Sequence, residues 1–169
     1  MAVTKIAQVD VGAGGVTTLD FTSIPQTFTD LMIVASLRSS AGTGYFGADI
    51  KLNTVSATGK FLAGSGTAAS SFAFATPSVP GTNMTASTFG SMVIYIPNYT
   101  SAIAKSVSVD NVFENNAAAA QQEIFAMIYS TVTSGVTAIS FAGLTNIIQY
   151  SSATLYGVTN GSSGGTVVA

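Results

Sequence analysis

The chain has 169 residues, enough for one domain with its own core. It contains no cysteine and no histidine, which removes disulfides, thiol nucleophiles, the common catalytic triads and the usual zinc ligands. Only 7% of residues are charged, against roughly 25% in an ordinary soluble domain, while 47% are apolar.

The missing charge is replaced by Ser, Thr, Asn and Gly. Such a neutral surface suits a protein covered by neighbours in an assembly. The five cations, Lys5, Arg38, Lys51, Lys60 and Lys105, are scattered and the net charge is −2. Direct binding to nucleic acid is therefore not expected, since phosphate neutralisation needs grouped cations. No apolar run approaches the ~18 residues of a membrane helix. The N-terminal stretch MAVTKIAQVD shows no apolar secretory core, and no aromatic girdles of an outer-membrane barrel are evident. No membrane association is expected.

Period-two alternation recurs along the chain and helical periodicity is nearly absent. Residues 3–9 read as a first strand, followed by a turn at Gly12, Gly14 and Gly15 and a strand over 16–21. Pro25 cannot donate to a sheet ladder and biases Ile24 towards an extended conformation. Residues 22–29 therefore read as a corner between strands, a place to cross from one sheet to another. Residues 31–37 are apolar on both faces for most of their length, predicting a central strand covered on both sides. Arg38 follows, with Asp30 and Asp49 as candidate acid partners.

Residues 46–52 alternate cleanly as one strand. Residues 53–89, rich in Ala, Ser, Gly and Thr, read as a long loop or arm with one or two short strands; Pro77 and Pro80 argue against regular strand over 76–81. Its apolar islands, Phe61, Leu62, Phe72 and Phe74, are candidate partner contacts. Strands follow at 91–96 and 104–113, the latter with Lys105, Val107, Val109 and Asn111 on one face. Residues 117–122 have the composition of a helical turn, and 123–132 read as strand, with a short buried helix as the alternative. The last strands are 136–141 and 152–158.

The expectation is an all-β protein: an antiparallel, jelly-roll-like β-sandwich of eight or nine strands. One domain spans 1–158, with the inserted loop at 53–89. Residues 159–169 form a Gly/Ser-rich tail that is either mobile or docks its Val167-Val168 pair on a neighbour.

Catalytic chemistry is hard to assemble from this inventory. The carboxylates Asp10, Asp20, Asp30, Asp49, Asp110, Glu114 and Glu123 show no diagnostic pair spacing. Residues 110–116, DNVFENN, are rich in oxygen ligands but lack an EF-hand pattern and read as a strand end entering a turn. VDVGAGGVTT lacks the context of a phosphate loop. No catalytic residue, metal site or cofactor is expected. Among the aromatics, Tyr45 and Tyr99 stand beside turn signals and are the candidates for exposure and for partner or sugar contact.

Three segments, in order, carry a resemblance: LDFTSIPQTFTDLMIVASLRSS, MVIYIPNYTSAIAKSV and TAISFAGLTNIIQYSSATLYGV. Together they resemble recurring strand-and-turn blocks in structural proteins of tailed bacteriophage virions and cover about half the chain. The resemblance implies a non-enzymatic β-sandwich module that acts by binding neighbours. One implied role is a capsid decoration, or cement, protein on the outer head shell, a homo-oligomer (trimer) bridging major capsid protein subunits. The alternative is a tail-fibre or receptor-binding module that stacks host carbohydrate on Tyr45 or Tyr99.

Overall fold

The computed structural model describes all residues except 43–44, 66–67, 73–75, 115–119, 144–145 and 161–169; for 45, 60–61, 63–65, 68–72 and 120 only the backbone is described. The described secondary structure is entirely β, and every strand pair is antiparallel. The strands are β1 Ala2–Asp10, β2 Leu19–Phe21, β3 Asp30–Leu37, β4 Tyr45–Gly47, β5 Asp49–Leu52, β6 Val55–Ser56 and β7 Thr58–Ser65. They continue with β8 Ala68–Phe72, β9 Ser78–Pro80, β10 Gly90–Ile96, β11 Lys105–Glu114, β12 Ala120–Tyr129, β13 Ile139–Ala142 and β14 Ser152–Thr159.

Eight strands form one sheet in the order β1-β14-β3-β10-β11-β12-β7-β8. A second sheet, β2-β13-β5-β6, and the pair β4-β9 complete the described strands. Side chains alternate between the faces of each strand. On the large sheet the inward set includes Leu31, Ile33, Leu37, Met92, Ile94, Ile96, Val107, Val109, Phe125, Met127 and Leu155, all buried. They share one core with Leu19 and Phe21 of β2, Ile50 and Leu52 of β5, and Ile139 and Phe141 of β13. The small sheet is thus the lid on one face of the large one.

The proline corner makes the predicted crossing: β2 belongs to the small sheet and β3 to the large one. Ile24 is buried, and its N–H donates to the Thr137 carbonyl at 3.0 Å. Gln26 Nε2 donates to the carbonyls of Ile24 (3.0 Å) and Val136 (2.9 Å). Phe28 lies directly over Gly157 of β14, where a Cβ would come within 2.3 Å of the ring. Only a glycine leaves room for that ring.

Several expectations are corrected. The antiparallel all-β sandwich stands, but fourteen strands are described where eight or nine were expected, several of only two to four residues. Residues 46–52 split at Ala48 into β4 and β5, which join different sheets. The reading of 53–89 as an arm fails: β7 and β8 form a hairpin that extends the large sheet at its edge. Ala, Ser and Gly gave that hairpin no apolar alternation to be read by. Pro80 does end a strand, β9, which is only three residues long, the position at which proline is tolerated. Residues 120–122 of the supposed helical turn are the start of β12, while 117–119 lie outside the described residues. β3 is central, but among the described residues the second sheet covers one side of it only.

Candidate interaction face

The uncovered face of the large sheet can be laid out row by row from the strand registers. One row runs Gln8, Thr154, Val34, Val93, Asp110, Ile124, Leu62. The next towards one end runs Lys5, Tyr156, Met32, Tyr95, Ser108, Ala126, Lys60. The next towards the other end includes Asp10, Ser152, Ser36, Ser91, Val112 and Gln122. Large apolar side chains stand in water across these rows: Leu62 is 50% exposed and Ile124 49%, with Val34, Val93, Val112 and Ile128 also exposed. Isolated exposed apolar residues are unremarkable, whereas a contiguous set on one face marks a contact surface.

Between its edge strands this face carries few charged residues, Lys60 at the register position opposite Ala126 among them. Asp110 is the acidic residue between Val93 and Ile124, and Gln122 Nε2 lies 3.4 Å from its carboxylate. Lys5 and Asp10 sit at the β1 edge, where Lys5 and Asp10 both contact Gln8. A register shift between Lys5 and Ala7 also interrupts that edge. An edge lysine and a bulge both discourage indiscriminate strand addition. At one end the face dips into a shallow trough of about 880 Å³. Its floor is small (Ser106, Ser108, Ala126), with Leu62, Ile124 and Ile128 on one side and Tyr95 and Pro97 on the other.

The charged and polar groups that are buried serve the scaffold. Glu123 accepts from Ser78 N–H (2.8 Å), Ser78 Oγ (2.6 Å) and Asn111 Nδ2 (2.9 Å), tying β9 under β11 and β12. Asp30 accepts from Tyr95 Oη (2.6 Å), the Asn98 N–H (2.7 Å) and Asn160 Nδ2 (2.7 Å). The Asp30 hydrogen bond, then burial and the Asp30 charge, hold the Tyr95 hydroxyl above its ordinary pKa. Lys105 is buried and donates to the carbonyls of Ser101 (2.6 Å) and Ile103, pinning the loop before β11. Burial pushes its ammonium below the usual lysine value.

Arg38 meets neither acid proposed for it. Asp30 starts the strand that Arg38 follows, some ~26 Å away at ~3.3 Å per residue, and Asp49 pairs with Lys51 at 3.8 Å. The Arg38 guanidinium instead donates to the carbonyls of Met84, Thr85 and Thr88.

Tyr129 bolts the two sheets together. It is fully buried on β12, and its hydroxyl donates to the Ile50 carbonyl of β5 at 2.6 Å. Burial, with the Asp49 charge second, raises its pKa far above the ordinary 10.0. A raised folded value means that its contribution is complete below pH 10. It declines as pH climbs past 10, by about 1.4 kcal/mol per unit. Tyr129→Phe, which cannot titrate, is expected to be about 1 kcal/mol less stable than wild type at pH 8. The gap should close near pH 11, and urea midpoints at the two pH values check it.

Of the residues singled out from sequence, Leu62 lies on the exposed face and lines the trough. Phe61 and Phe72 face each other in register within the β7-β8 hairpin, but their side chains, like that of Tyr45, lie outside the description, as does the whole of Phe74. Tyr99, expected to be exposed, is fully buried. Its hydroxyl donates to the Pro25 carbonyl and receives the Phe28 N–H at 3.4 Å, so the ring is a strut beneath the corner. Burial raises its pKa, and the backbone contacts at Phe28 and Thr27 act in the opposite direction.

The carboxylates do not converge: Asp10 and Asp20 bond neighbours two residues away, and Asp49 bonds Ser56 Oγ. Asp110 and Asn111 point to opposite faces. Among the described residues no three Asp or Glu side chains group as a metal site would require. Sequence reading missed the face itself, because Val34, Val93 and Ile124 look like core residues until the second sheet is seen to cover only the opposite side.

No family model, characterised protein or solved structure matches this chain.

Proposed function

We propose that this chain is a non-enzymatic structural component of a tailed-phage particle, a capsid decoration protein that docks on the major capsid protein through the uncovered face of its large sheet. The observation that carries the reading is that face, with six exposed large apolar side chains and little charge between its edges. Seven inter-strand steps of ~4.8 Å by about eight residues of ~3.3 Å give roughly 900 Å². A standard interface takes about 800 Å² per partner. The face is therefore large enough to serve alone, and its binding energy would come from apolar area repeated over many copies. The phage assignment itself rests on the sequence resemblance.

Val93→Glu is the test. Val93 is exposed on a central strand, where the new carboxylate would stand opposite Asp110, so the change should cost about 1 kcal/mol and leave the variant folded. In the complex it buries an unpaired carboxylate. Binding to protein-stripped capsids should fall by about 100-fold or more. Wild-type binding should change little between low and moderate salt. Undiminished binding of the folded variant, or release of wild type by moderate salt alone, would refute the docking mode.

A further inference from the structure

We propose that Ser78, Asn111 and Glu123 form a self-modifying site, which joins the Ser78 hydroxyl to the Asn111 carboxamide as an ester and releases ammonia. The step is a single turnover within one chain and is independent of what the uncovered face binds.

The three side chains meet beneath the large sheet. Ser78 starts β9, Asn111 lies on β11, and Glu123 is its register partner on β12. They are 7%, 1% and 2% exposed, so the site is closed to bulk water. One carboxylate bridges the other two groups. Its Oε1 accepts from Ser78 Oγ at 2.6 Å and its Oε2 from Asn111 Nδ2 at 2.9 Å. Both separations lie within the reach of direct proton transfer. Two further contacts fix the arrangement. Ser78 N–H donates to Oε2 at 2.8 Å, and Asn111 Nδ2 donates to the Ser78 carbonyl at 2.7 Å. The amide nitrogen thus has two acceptors, which orients the carboxamide with its nitrogen on the carboxylate.

This arrangement supplies the groups that ester formation needs. A serine hydroxyl is a weak nucleophile until a base takes its proton. Glu123 Oε1 takes that proton, and Ser78 Oγ attacks Asn111 Cγ. The Oγ–Cγ ester bond forms and the Cγ–Nδ2 bond breaks. The nitrogen leaves with the proton that Glu123 took from the hydroxyl, so Glu123 ends as it began. One ammonia is lost, no electrons are transferred and no co-reactant is consumed. Burial keeps out the water that would hydrolyse the ester. Attack on Asn111 Cγ by the Val112 nitrogen, the usual competitor, is impeded because Val112 is held between β10 and β12. The product ties β9 covalently to β11 and fastens the β4-β9 pair to the large sheet.

Mass spectrometry tests this. The folded protein is held at mildly alkaline pH for several days. Its intact mass is expected to fall by one ammonia, and proteolysis to yield a fragment that links residues 78 and 111. Hydroxylamine, which cleaves esters, should sever that link. Wild type kept in urea should retain its full mass, because the site exists only in the folded chain. Ser78→Ala, which removes one hydroxyl and keeps the contact between Glu123 and Asn111, should also retain its full mass. Glu123→Gln lacks the base and should react at least about 100-fold more slowly. Folded wild type that keeps its full mass would overturn the proposal. An equal loss in Ser78→Ala would overturn it too, since the ammonia would then come from another amide.

Discussion

Truncating Tyr99 to alanine is expected to lower the unfolding free energy by about 4 kcal/mol, as for other large buried aromatics. Three effects add. The deletion leaves a ring-sized cavity in the core that the two sheets share. It removes the donor to the Pro25 carbonyl inside the corner. It also releases the contact to the Phe28 N–H, whose ring rests on Gly157 of the large sheet. The corner carries the chain between sheets, so the loss falls where the sandwich is joined. Tyr99→Phe keeps the volume and should cost only about 1–2 kcal/mol, the price of one unsatisfied carbonyl. Urea unfolding of both variants separates packing from hydrogen bonding. The same pair bears on sugar recognition: a buried ring cannot stack a glycan, so Tyr99→Phe should leave any carbohydrate binding unchanged.

Arg38→Ala is expected to cost about 2–3 kcal/mol, although the residue has neither of the acid partners its sequence neighbourhood suggested. Its guanidinium donates to the Thr85 carbonyl at 2.9 Å, the Thr88 carbonyl at 2.7 Å and the Met84 carbonyl at 3.2 Å. The same loop offers its donors to Glu114, which accepts from Thr85 N–H (2.7 Å), Thr85 Oγ1 (2.9 Å) and Thr88 Oγ1 (3.1 Å). Residues 84–88 are thus held between a cation taking carbonyls and a carboxylate taking donors. Removing the cation takes a donor from the carbonyls of buried Met84 and half-buried Thr88 and lets that loop open. Arg38→Lys should recover less than half of the loss, since an ammonium cannot span three acceptors as a planar fork does. Hydrogen exchange across 84–88, together with unfolding midpoints, distinguishes local opening from global loss.

These two residues also show how far the sequence could be read. Pro25 has strong local physics: a fixed φ, no donor and a restricted neighbour. The corner and its change of sheet were therefore legible. The face of β11 bearing Lys105, Val107, Val109 and Asn111 followed from simple alternation, and all four are buried. Tyr99 was misread because Pro97-Asn98 signals a turn. Nothing local reveals that this turn folds its aromatic back under residues 25–28, more than 70 positions away. Arg38 was misread because its acceptors are backbone carbonyls, which every residue has and no pattern marks. The β7-β8 hairpin was missed because small residues lack the alternation by which strands are recognised. Apolar residues on both faces of β3 suggested cover on both sides; the second cover is absent within the described chain, and that vacancy defines the candidate face.

Electron microscopy of intact virions that carry this chain tests the central claim most directly. The account predicts hundreds of copies distributed over the head, each with Val34, Val93 and Ile124 turned against the shell or a neighbouring subunit. A few to tens of copies confined to the tail, or head-bound copies with that face open to solvent, would contradict it.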